Sequence, residues 1–131
     1  MLVLAIIMTI GAIVKQFLAV FTGTKTGAQA DQWNALSETD RNERVTKGKI
    51  AWTNWMTNHS SALSFSGGPL GKTKLVDSKG IKDISNQMSA FVVIKAESQE
   101  AAAKMFLEHP HFTIFPGDGA EIMEVMPMPA M

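Results

Sequence analysis

The side chains best suited to chemistry are imidazoles and carboxylates. The chain has 131 residues with three histidines and no cysteine. His109-Pro110-His111 puts two of the imidazoles two residues apart. A neutral imidazole serves as a base or a metal ligand, and its charge changes near physiological pH. With Asp77, Glu121 or Glu124 as a second group, His109 or His111 could act as acid/base in a cofactor-free proton transfer of the lyase or isomerase kind. The competing reading makes His109 a cap at a helix C-terminus, which the macrodipole favours, with Pro110 as the stop signal. No metal site is expected, because two histidines and a carboxylate at unplanned spacing do not make a ligand set. The missing cysteines exclude thiolate zinc, iron–sulfur clusters, a Cys nucleophile and a disulfide scaffold.

A second group of residues could bind rather than react. Trp52 and Trp55 are three apart and could wall a pocket for a small organic ligand, with His59, Phe91 and Met123 as further lining residues. The alternative for the tryptophans is core or interface packing. For Met123, Met126, Met128 and Met131 it is gap-filling at a dimer seam. Gly67-Gly68-Pro69-Leu70-Gly71-Lys72-Thr73 is not a phosphate loop: Ser66 stands where the first glycine is required, and a strand follows instead of a helix. No G-x-S-x-G elbow is present.

These residues must be positioned by the elements around them. Residues 15–22, aromatic and β-branched, read as a strand apolar on both faces. A helical turn is expected over 30–36. Ser37-Glu38-Thr39-Asp40 offers caps for a longer helix over 40–58, with Val45, Gly48, Trp52, Trp55, Met56 and His59 on one face. Residues 62–66 read as a strand ended or kinked by Gly67-Gly68-Pro69. Residues 72–77 and 79–85 form a hairpin in which Gly80 supplies the positive φ. Residues 90–95 are the clearest strand, again apolar on both faces. Ser98 caps a helix through Glu108, Pro110 stops it, and 120–126 is the last strand before Pro127 and Pro129.

The order β–α–β–hairpin–β–α–β predicts an α+β, ferredoxin-like βαββαβ sandwich with an antiparallel sheet. Two helices cover one sheet face, yet two strands are apolar on both. A second copy, sheet against sheet, is the simplest cover, so a homodimer is expected.

In order and spacing, a series of motifs resembles the YCII-related family. They are Trp52-Thr53-Asn54-Trp55, Ala62-Leu63, Gly67-Gly68-Pro69-Leu70, the Lys79-Gly80 turn, Phe91-Val92-Val93-Ile94, Ser98-Gln99-Glu100-Ala101-Ala102, His109-Pro110-His111 and the ending from Glu121 to Pro129. The resemblance covers about residues 15–129. It implies a dimeric α+β barrel, in which two ferredoxin-like protomers join sheets around enclosed pockets. It also implies small organic substrates, often ring compounds, and no bound metal or nucleotide, so no cofactor is expected. Some members of that family carry a buried His on the first long helix facing an Asp after the next strand. Here no His lies within 40–58; His59 stands at its end, and Asp77 is the acid nearest the second position. The DGP-aromatic signature of a sister group is replaced by Ile81-Lys82-Asp83-Ile84.

Charge narrows the partners. Twelve basic and twelve acidic residues cancel, which argues against nucleic acid as a partner. Locally the balance is uneven: residues 31–96 carry nine basic and six acidic groups, and residues 97–131 one basic and six acidic. Residues 1–14 are an uncharged apolar extension ahead of a domain spanning 15–131. Fourteen apolar residues are too few to cross a bilayer, which needs about 20. A secretory signal would need a basic start that this run lacks. The expectation is a cytoplasmic dimer holding a small organic ligand, either as a cofactor-free enzyme or as a non-catalytic binding or interaction module. Membrane association or export through residues 1–14 is the alternative.

Overall fold

The structure, a computed structural model, describes residues 14–129. The expected extension 1–14 therefore lies outside the described residues, Val14 excepted. Strand β1 (Lys15–Thr22) is followed by helices α1 (Ala28–Ala35) and α2 (Glu38–Asn58), a 3₁₀ turn (Ser60–Ala62) and β2 (Leu63–Pro69). A hairpin of β3 (Thr73–Asp77) and β4 (Gly80–Ile84) precedes β5 (Met88–Ala96), α3 (Gln99–Lys104), α4 (Pro110–Thr113) and β6 (Gly119–Glu124). The main sheet has the order β2-β5-β1-β6, antiparallel at every pairing. With β3–β4 forming a separate two-stranded sheet, this is the α+β, ferredoxin-like βαββαβ arrangement carrying an inserted hairpin. No helix among the described residues is long and apolar enough to cross a membrane.

Register decides what each face of the sheet holds. Phe17 pairs with Ile94, Ala19 with Val92 and Ile122, and Phe21 with Ala90 and Ala120. Cross-strand partners share a face, and this one packs beneath Trp52, Trp55 and Met56 of α2 and Ala102 and Phe106 beyond it. The alternate residues form the other face: Leu18 opposite Val93 and Met123, Val20 opposite Phe91 and Glu121. Both β1 and β5 are thus apolar on two sides.

The capping expectations hold in detail. Ser37 Oγ accepts from Asp40 N at 3.0 Å, and Ser98 Oγ accepts from Ala101 N at 3.1 Å. Glu38 and Asp40 in the first turn of α2 complement its dipole.

Two expected boundaries move by more than two residues. The strand expected to be ended or kinked by Gly67-Gly68-Pro69 is kinked and runs on to Pro69, because β2 is an edge strand and a missing N–H on its outer side leaves no ladder bond unmade. Its pairing with β5 shifts register between Phe65 and Gly68. Gly67 takes the irregularity at φ 64°, where a Cβ would run into the Phe91 carbonyl. The helix expected to run to Glu108 stops at Lys104. The chain then turns through Glu108 at φ 61°, and Pro110 opens α4 as its first residue instead of merely terminating α3.

Candidate functional site

A cavity of about 190 Å³ lies under α2 at the open side of the sheet. Trp52, Trp55 and Met56 come from the buried stripe of α2, and Phe21 from the end of β1. Ala90, Phe91 and Val92 of β5 border it, as do Ser66, Gly68 and Pro69 of β2. The register shift in β2 lies at this wall, so the cavity borders the place where edge pairing is interrupted. Trp55 donates its indole N–H to Met105 O at 2.9 Å, and its ring is left as apolar wall. Trp52 is held by Phe21 at 5.0 Å and, edge to face, by His109 at 4.5 Å between ring centroids. Ser66 supplies the one hydroxyl of the lining.

The imidazoles stand behind this wall. His109 is completely buried and packs against Phe21 and Trp55, each at 4.8 Å. Its Nδ1 accepts from His111 N at 3.0 Å, which makes it the N-cap of α4 and assigns the ring proton to Nε2. It therefore does not cap the helix before it. That Nε2 has no hydrogen-bond partner among the described residues. Burial, reinforced by His111 and His59 nearby, lowers the His109 pKa from 6.5 to about 3, so the ring is neutral near pH 7. His111 Nε2 donates to Thr22 O at 2.7 Å and ties α4 to the end of β1. Gly117 lets this ring approach, since a Cβ there would strike it.

The expected carboxylate partners are elsewhere. Glu124 pairs with Phe17 and sits 3.8 Å from Lys15 Nζ. Phe17 and Thr22 are five strand positions apart, so Glu124 lies about 16 Å along β1 from the carbonyl that His111 holds. Glu121 is on the opposite face of the sheet. Asp77 accepts from Lys79 N in the turn of the separate hairpin. No imidazole among the described residues makes an ion pair or hydrogen bond with a carboxylate.

Of the expected lining residues, Trp52, Trp55 and Phe91 meet at the cavity and two do not. His59 caps the end of α2, its Nδ1 2.9 Å from Trp55 O and its ring 4.5 Å from that of Trp55. Met123 is 42% exposed on the far face. Sequence reasoning missed Phe21, Met56, Ser66 and Gly68. The Gly67-Gly68-Pro69 signal was visible, but it reads as the end or kink of a strand, not as a cavity wall.

No family model matches the chain, and no curated protein matches it. Among solved structures, it is similar to the 5-chloro-2-hydroxyhydroquinone dehydrochlorinase of Burkholderia phenoliruptrix, determined in complex with 2,5-dihydroxybenzoquinone. The TM-score is 0.49 with 14% identity, covering 85% of this chain and 93% of that one.

Proposed function

We propose that the protein binds a small, largely apolar organic molecule in the cavity walled by Trp52, Trp55 and Phe21, without itself catalysing a reaction. The observation that carries this reading is the aromatic cavity of about 190 Å³; an apolar cavity of ~150 Å³ already admits a benzene-sized molecule. The acid/base alternative needs an imidazole that reaches both ligand and carboxylate. His109 has neither a carboxylate nor solvent access, and His111 spends its Nε2 proton on Thr22 O. Both imidazoles serve as frame in this reading.

Ala90 provides the test. Its side chain shares the sheet face of Phe21 and borders the cavity, so Ala90→Leu extends into the space a ligand would take. Benzyl alcohol titrated into the wild type should shift the indole N–H resonances of Trp52 and Trp55 saturably. In Ala90→Leu the shifts should vanish while the melting temperature is kept. Equal shifts in both proteins would overturn the proposal.

The second part of the proposal is a homodimer through the uncovered sheet face, the assembly that the YCII-related resemblance implies. Support comes from Leu18, Val93 and Met123 in one register row, and from Phe65, 57% exposed, its ring tilted against that of Phe91 at 5.9 Å. An apolar patch of this kind marks an interaction surface.

A further inference from the structure

A second and larger depression, about 900 Å³ and open to solvent, lies beside the apolar cavity. The two share no lining residue, yet they abut on three strands. On β1 the lining passes from Phe21 to Gly23, at the end of β2 from Pro69 to Leu70, and on β5 from Ala90 to Ser89. Pro69 and Ala90 are ladder partners, and Leu70 N donates to Ser89 O at 2.9 Å. The two linings are thus about one ladder rung apart along these segments.

The chemistry changes abruptly at that boundary. Where the first space is aromatic, the second is lined by Lys25, Lys72 and Lys74, with Asp83 as its one acid. Asp83 is taken by Lys74 at 2.6 Å. Asp118 accepts from the Thr24 hydroxyl at the edge of the cleft. Lys25 and Lys72 make no ion pair among the described residues. They come from two different connections, β1–α1 and β2–β3, which converge on the cleft. A frame of hydrogen bonds keeps the cleft's shape: Asn86 donates to Thr73 Oγ1 at 3.1 Å and accepts from Met88 N at 2.9 Å, and Gly23 N donates to Gln87 O at 2.9 Å. At Gly71 an added Cβ would meet nothing, which leaves the backbone there open to a ligand.

We infer that the ligand is an amphipathic anion, its apolar body in the tryptophan cavity and its carboxylate or phosphate head between Lys25 and Lys72. This rests on the cavity being a ligand site and adds the charge of what it takes. Two ammonium groups lining one cleft, neither in an ion pair among the described residues, favour an anion over its neutral isostere, at a strength that salt screens.

The test compares 3-phenylpropionate with its neutral amide, 3-phenylpropanamide, read by tryptophan fluorescence at low ionic strength. The acid should bind about tenfold more tightly than the amide. The preference should disappear in the Lys25→Gln/Lys72→Gln double variant and survive in Lys79→Gln, whose side chain is in the hairpin turn outside the cleft. Equal binding of acid and amide by the wild type, or a preference that outlasts the double substitution, overturns the anionic head and leaves the apolar site standing. A preference lost equally in Lys79→Gln reduces the effect to net charge and likewise overturns it. Failure of both probes to bind overturns the apolar site together with this inference.

Discussion

His109 concentrates the physics of single residues in this protein. Its ring is buried, accepts one backbone hydrogen bond and leaves Nε2 without a partner among aromatic rings. A pKa lowered to about 3 in the folded state, against 6.5 when unfolded, links stability to pH. Above pH 6.5 both states hold the ring neutral and the contribution is complete. As pH falls from there toward 3 only the unfolded chain takes up the proton, so stability drops by about 1.4 kcal/mol per unit. Urea unfolding between pH 7 and 4 should reveal this slope, and His109→Asn should flatten it, since Asn retains the N-cap acceptor. An unchanged slope in the variant would refute the assignment. The His-Pro-His string was legible as unusual chemistry, but its burial was not. Burial depends on Phe21, Trp52 and Trp55, which are 54 to 88 positions away in the chain.

Glycine and helix-end geometry govern the elements. Gly67 holds φ 64° with the Phe91 carbonyl where a side chain would begin. Gly67→Ala should therefore cost more than about 1 kcal/mol, beyond the ordinary penalty of a left-handed residue. It should also perturb the adjoining cavity, seen as weaker benzyl alcohol binding. Glu108 is the opposite case, a non-glycine residue at φ 61°. Glu108→Gly should raise stability by about 0.5–1 kcal/mol in thermal or urea unfolding, and a loss would show that its side chain matters more than its backbone. Ser37→Ala should cost about 1 kcal/mol through the lost bond to Asp40 N. The caps and the strand cores were readable because they depend on neighbours in sequence. The early end of α3 was not, because the turn at Glu108 answers to the packing of His109 and Phe106 beneath α2.

For the whole molecule the open question is the uncovered sheet face. Leu18, Phe91, Val93 and Met123 follow from two-residue alternation against a helix-covered face. In the proposed dimer this face is the seam. Sedimentation should give twice the chain mass for the wild type, and Phe65→Lys/Met123→Lys should give the monomer with its fold intact by circular dichroism. A wild-type monomer at micromolar concentration would sink the proposal. The charge asymmetry of the chain acquires a place as well: the basic middle segment supplies Lys72 and Lys74 to the open cleft. Three acids of the last segment, Asp118, Glu121 and Glu124, stand on or beside β6.

Periodicity, caps and turn residues by themselves determined the α+β order, the inserted hairpin, the doubly apolar strands and the stripe that brings Trp52 and Trp55 inward. These are local consequences of backbone geometry and side-chain spacing. Only the tertiary structure decided which chemistry those residues share. Strand register carried Glu124 and Asp77 away from the imidazoles, and burial turned His109 from a candidate base into a neutral cap. The convergence of three strand ends set an aromatic cavity against a lysine cleft. Register and convergence are sums over contacts distant in sequence, which no local pattern encodes.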